Sequence, residues 1–128
     1  MTMESMAAAT VPPDPKSMLV VELLSARLGV DVSKIVALCD RYHIVEFGLF
    51  GSVLRDDFRL AGSNPSDVDT LVVFEPDYRL SWQTWRTLQE SLEQLFGRKV
   101  DVVRKELLTN PYRRAEILST YRVVYAKS

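Results

Sequence analysis

The stretch Asp67-Val68-Asp69-Thr70-Leu71-Val72-Val73-Phe74 decides the fold: two acids alternate with an apolar residue and then run into an apolar strand. Glu75-Pro76-Asp77 terminates it. Side chains along a strand alternate between its two faces. Asp67 and Asp69 therefore stand side by side, with Val68 turned into the core. Two adjacent carboxylates repel unless a positive charge sits between them. A hard divalent cation such as Mg²⁺, which takes oxygen ligands and shares them with substrate phosphates, is one compensator. The alternative is a solvent-facing strand start whose acids keep the edge soluble.

Two further strand-like runs flank this one. Ile44 to Phe50 is rich in strand formers and ends at Gly51-Ser52, and Val100 to Val103 carries Asp101. If the Asp101 strand pairs beside the Asp67 strand, its carboxylate completes an acidic cluster. Asp101 then shares the metal or takes the proton from an attacking hydroxyl. Its other reading is a charge partner for Arg98 or Arg104. A glycine directly after a strand lets the backbone approach a ligand closely. If a helical turn opens there, its free N–H groups form a phosphate site, to which the Ser52 hydroxyl adds a donor; Arg55 either adds another or makes a surface salt bridge. Neither a P-loop nor a Gly-x-Gly-x-x-Gly fingerprint is present.

Helical periodicity fills the intervals. Apolar residues from Met18 to Leu28 recur at helical spacing and stop at Gly29. Ser33 opens a second helix with Ile35, Val36, Leu38, Cys39 and Tyr42 on one side. Residues 81–96 give the clearest helix, with Trp82, Trp85, Leu88, Leu92, Leu95 and Phe96 in register before Gly97. Short helices are expected over Lys105 to Leu108 and Tyr112 to Leu118, divided by Pro111, and Tyr121 to Tyr125 reads as a last strand or an extended tail. The stretch from Val53 to Ser66 mixes a short helical turn with polar loop. Helices alternating with three or four short strands predict an α+β (α/β-like) domain, a small mixed β-sheet backed by helices, most simply on one face.

At 128 residues the chain fits one domain of ordinary size. Residues 1–15 read as a flexible leader, because Pro12, Pro13 and Pro15 block helices and ladders, and 16–128 as the domain, with an extra N-terminal helix. The hydrophobic fraction of 47% is that of an ordinary globular protein. A net charge of -1 argues against a nucleic-acid binder held by bulk charge. The balance is uneven: from Arg98 onward the chain carries +5 and before it -6, so the basic end either faces an anionic ligand or an acidic partner or is a solvated helix face. No apolar run reaches the roughly 18 residues of a membrane span. Without a signal-like N-terminus, a cytoplasmic protein is expected.

Other residues carry less. Cys39 has no second cysteine and sits in an apolar run, as a buried small hydrophobe does. His43 is the only histidine, so no multi-histidine zinc site exists; it reads as a residue at a helix end. Trp82 and Trp85 read first as core and second, with Tyr78, as partner anchors. Tyr112, Arg113 and Arg114 are candidates for contact with phosphate or partner.

Taken together, Leu49-Phe50-Gly51-Ser52-Val53-Leu54-Arg55-Asp56-Asp57-Phe58, Ser66-Asp67-Val68-Asp69 and Gly97-Arg98-Lys99-Val100-Asp101-Val102-Val103 resemble the minimal nucleotidyltransferases of the polymerase-beta superfamily, over roughly residues 33–125. The resemblance implies that Gly51 and Ser52 bind nucleotide phosphates, that Asp67, Asp69 and Asp101 hold Mg²⁺ as a pair of ions, and that ATP is the substrate. It further implies an antitoxin beside a helical HEPN-type toxin, silencing it by transferring AMP to a tyrosine. A catalytically silent module that blocks its partner sterically, and nucleotidyl transfer to a small molecule, stand as alternatives. A homo-oligomer is left open. The chain departs from the pattern in one place. Fourteen residues separate Ser52 from Asp67, about four more than the family usually has, and the excess falls near Leu60-Ala61-Gly62-Ser63-Asn64.

Overall fold

The computed structural model describes residues 19–54 and 66–127. The leader at 1–15, Arg55 and the long-loop residues 60–64 lie outside them. Helix α1 spans Val20–Leu23, entered where the Glu22 carboxylate accepts the Leu19 N–H at 3.0 Å, and continues as wider π-helical turns over Leu24–Leu28. Helix α2 (Val32–Tyr42) is capped by the Asp31 carboxylate, which accepts the Ser33 N–H at 3.3 Å. It stops at His43, whose φ of 59° turns the chain directly into β1 (Ile44–Phe50). A 3₁₀ turn (Gly51–Leu54) follows. β2 (Val68–Phe74) begins one residue later than the sequence pattern suggests, leaving Asp67 just outside the strand. Helix α3 (Trp82–Phe96) starts at Ser81, whose hydroxyl accepts the Thr84 N–H, and ends at Gly97. β3 (Val100–Arg104), a single 3₁₀ turn (Lys105–Leu107), α4 (Pro111–Thr120) and β4 (Arg122–Ala126) complete the order. Pro111 does not merely divide two helices. It occupies the first turn of α4, where a missing N–H costs nothing, and the Asn110 side chain caps the N–H groups of Tyr112 and Arg113.

The four strands form one mixed sheet in the order β3-β2-β1-β4. β1 is antiparallel to β2 and to β4, while β2 and β3 are parallel. Parallel neighbours need a long crossover, and α3 supplies it. The main core packs Phe47 and Leu49 of β1, Val68 and Val72 of β2 and Val100 of β3 against Leu23, Ile35, Leu38, Leu88 and Leu92. Phe50 and Leu71, which point to the opposite face of the sheet, belong to a second cluster with Leu108 and Ile117. The helices are thus not all on one face, as the simplest arrangement would have them. α4 covers the other side, and the second cluster is small because Ile117 is the only buried residue of α4.

Candidate active site

The catalytic question turns on how β2 meets β3. Their parallel register pairs Val68 with Val100, Asp69 with Asp101 and Leu71 with Val103. Paired residues on adjacent strands project from the same face, and here that face is the one holding Leu71, Val103 and α4. Asp69 and Asp101 are therefore neighbours across the ladder, Asp69 half-buried and Asp101 exposed. Buried Thr70 fixes the register, since its hydroxyl donates to the Asp101 carbonyl at 3.0 Å. Asp67 lies exposed two residues before Asp69, beside buried Ser66, whose carbonyl accepts from Arg98 Nη1 at 3.3 Å.

Gly51 and Ser52 approach the same place from β1, where Phe50 pairs with Asp69. Gly51 has φ 74°, a left-handed conformation, and a Cβ built on it would stand 2.5 Å from Asp69 Oδ2. Only glycine lets the turn close onto that carboxylate. The Ser52 hydroxyl donates to the Asp67 carbonyl at 3.0 Å, which ties the turn to the backbone just ahead of β2. Arg27, in the π-helical turns that follow α1, donates from Nη1 to the Val53 carbonyl at 3.0 Å and braces the turn.

Thr120 is a participant the sequence did not single out. Its hydroxyl donates to the Ile117 carbonyl of its own helix and accepts the Gly51 N–H, each at 3.3 Å. The end of α4 thus reaches the Gly-Ser turn, and nothing in the local pattern of α4 signals it. The next residue anchors that end. Tyr121 donates to Glu46 Oε2 at 2.7 Å, and Lys105 Nζ lies 3.4 Å from the same oxygen. Burial, and then the bond to Glu46 and its negative charge, push the Tyr121 phenol well above its ordinary range. The ring needs room that Gly48 provides, because a Cβ there would meet Tyr121 Cε1 at 2.2 Å.

The remaining candidates sort differently. Cys39 is buried, and its thiol is pushed up to about 12 by burial and then by Asp40, so it is a core residue, as expected, and a poor nucleophile. His43 caps α2, lies 3.7 Å from Glu75 and stacks on Tyr78 at 4.4 Å between ring centroids. Trp85 is half-buried against the main core, but Trp82 is 74% exposed, which corrects its first reading as core.

Asp67, Asp69 and Asp101 offer only oxygen donors, the set a hard cation takes. Among the described residues no three His, Cys, Asp or Glu side chains are gathered closely enough to hold a metal ion. The backbone places Asp69 beside Asp101 and the Gly51 cradle against Asp69. In donor type the three carboxylates fit Mg²⁺, and the backbone brings two of them, Asp69 and Asp101, side by side.

A small mixed sheet backed by helices is the architecture of polymerase-beta-like nucleotidyltransferases. Residues 33–128 match the family model described as polymerase beta, nucleotidyltransferase, and the chain belongs to that family. Two Methanocaldococcus jannaschii proteins that carry a provisional protein adenylyltransferase name are each 34% identical to it, the first over 78 residues and the second over 80. Each match covers 61% of this chain and 74% of the relative. A solved structure provisionally assigned as a minimal nucleotidyltransferase is 31% identical, with a TM-score of 0.55 over 83% of this chain and 97% of its own. A chain from the tri-AMPylated Shewanella oneidensis HEPN toxin in complex with MNT antitoxin shares the fold at 17% identity, with a TM-score of 0.53 over 75% of this chain and 70% of that one. No helix among the described residues is long and apolar enough to cross a membrane.

Proposed function

We propose that the chain is a Mg²⁺-dependent protein adenylyltransferase, its domain spanning residues 16–128, that moves AMP from ATP to a tyrosine hydroxyl of a HEPN-type toxin and thereby silences it as an antitoxin. The observation that carries this reading is the in-register pairing of Asp69 with Asp101 beside the Gly51 cradle. Provisional adenylyltransferase names among the relatives and the AMPylated toxin of a complex with the same fold support the choice of nucleotide and acceptor.

Gly51 and Ser52 receive the triphosphate as the Gly51 N–H and the Ser52 hydroxyl exchange their bonds to Thr120 and the Asp67 carbonyl for bonds to phosphate oxygens. Asp67 and Asp69 hold Mg²⁺, with Asp101 completing the carboxylate set on the acceptor side. The bound ion supplies positive charge to the phosphate oxygens. The acceptor oxygen then forms a bond to the α-phosphorus as the bond to the pyrophosphate oxygen breaks. Pyrophosphate leaves, and Asp101 takes the hydroxyl proton. Beyond that, the protein's contribution is positioning and charge stabilisation.

Intact-mass measurement of a co-purified HEPN-type partner, incubated with Mg-ATP and this chain, tests the reading. The expected result is added adenylate on the partner, absent with Asp69→Asn. A tight complex whose partner gains no mass in wild type would instead identify a sterically acting module.

A further inference from the structure

β3 is an edge strand, and its outer side is closed at one end only. Val100, whose N–H and C=O point away from β2, has both groups met by α3: the N–H by Glu93 Oε2 at 3.4 Å and the C=O by Gln89 Nε2 at 3.3 Å. The next outward-pointing residues, Val102 and Arg104, line an open cleft of about 550 Å³ instead. Its walls include Trp82, Leu107 and Leu108, and Arg113 stands at the rim. Trp82 is 74% and Leu107 63% exposed, so two large apolar side chains flank an unfinished sheet edge. The two arginines differ. Arg104 is committed to Glu106 at 2.6 Å and lies over the Phe74 ring. Arg113 is exposed and has no ion pair among the described residues.

We propose that this groove receives an extended segment of the partner protein, which adds to the outer edge of β3, with apolar side chains against Trp82 and Leu107 and a carboxylate opposite Arg113. Strand addition derives its affinity from main-chain hydrogen bonds and its specificity from pockets for alternate side chains. Val102 and Arg104 supply the first, and the apolar walls with one uncommitted cation supply the second. The surface is continuous with the candidate site, because Asp101 immediately precedes Val102, about 3.3 Å away along the strand. A side chain of the added segment opposite Asp101 is therefore delivered to the carboxylate pair. That the docked partner is also the AMP acceptor rests on the function proposed above.

The test uses the full chain and three blocked hexapeptides, alternating valine with glutamate, valine with lysine, and serine with glutamate. The Val102 and Arg104 amides are followed by NMR shifts and hydrogen exchange. The valine–glutamate peptide is expected to saturate at or below about 1 mM, to protect the Val102 amide, and to bind about tenfold more weakly to Arg113→Glu and to Trp82→Ser. The other two peptides should bind at least tenfold more weakly to the wild type. Both substitutions are at exposed positions, and retention of the dispersed spectrum confirms folding. Absence of saturable shifts at Val102 and Arg104, equal binding of the lysine peptide, or indifference to Arg113→Glu overturns the proposal. So does a concentration-dependent dimer abolished by Trp82→Ser, which would assign the groove to a second copy. No nucleotide is involved, so a failure here leaves the transferase reading standing. Peptide binding without adenylate transfer to a partner faults that reading and not the groove.

Discussion

Gly51 and Asp69 are in such close approach that a Cβ on the glycine would stand 2.5 Å from a carboxylate oxygen, and the glycine's φ of 74° is one that L side chains rarely adopt. The turn is thus built around the absence of a side chain. Gly51→Ala is expected to cost at least about 1–2 kcal/mol from the left-handed backbone alone. It should also displace the Asp69 carboxylate. Urea unfolding measures the first effect and calorimetric titration with Mg-ATP the second. Wild-type stability together with wild-type nucleotide affinity would show that the close approach is not needed.

Asp69 and Asp101 place like charges on neighbouring strands, a juxtaposition that costs stability unless a cation offsets it. Asp101→Asn is expected to leave the melting temperature unchanged or slightly raised, while adenylate transfer falls by about 10²-fold or more. Chelation of divalent metal should abolish transfer in the wild type. Calorimetry and partner mass spectrometry read the two arms. A clear loss of stability without loss of transfer would make Asp101 a structural residue. For the pair ahead of it, Mg-ATP binding that survives Asp67→Asn combined with Asp69→Asn would remove the metal-bridging role from both.

Much of this site was legible in the sequence because its signals are local. The Asp67-Val68-Asp69 alternation, the strand end at Phe50-Gly51 and the Val100–Val103 run each declare themselves within a few residues. The Asp69–Asp101 register does not, since a parallel pairing is chosen by tertiary packing through the intervening α3. Thr120 and Tyr121 were missed for the same reason: their partners, Gly51 and Glu46, lie 69 and 75 residues away. Helical spacing aligned Trp82 with Trp85, Leu88 and Leu92, but periodicity carries no information about where the core beneath the helix stops. The opposite-face position of α4 was hidden because that helix buries only Ile117.

Gly48 is held to glycine by packing. A Cβ there would stand 2.2 Å from Tyr121 Cε1 and 2.6 Å from the Arg122 carbonyl oxygen. Gly48→Ala is expected to destabilise by about 1–3 kcal/mol or more, because neither the β4 backbone nor the anchored ring can move freely. Tyr121→Phe removes the bond to Glu46 but leaves Lys105 to satisfy that carboxylate, so its cost should be smaller, about 1–2 kcal/mol. Since Tyr121 follows Thr120, both variants should also weaken Mg-ATP binding. Denaturation midpoints and titration calorimetry check the order, and a Gly48→Ala protein as stable as wild type would contradict the packing argument.

Cys39 sets an alkaline limit to stability. Its ordinary value is 9.0 and burial, then Asp40, raises it to about 12 in the folded chain. Above pH 9 the unfolded chain releases the thiol proton while the folded chain keeps it, so the unfolded state binds fewer protons and stability falls as pH rises. The contribution is fully present below pH 9 and is lost progressively between 9 and about 12. Tyr121 acts in the same direction from its ordinary value of 10.0 upward. Cys39→Ala is expected to lower stability at neutral pH by leaving a small cavity, yet to flatten the decline that begins at pH 9. Tyr121→Phe should leave that onset in place and reduce the steeper loss above 10. Urea midpoints measured from pH 7 to 10.5 separate the two, and a slope in Cys39→Ala identical to that of the wild type would mean that the buried thiol is not its source.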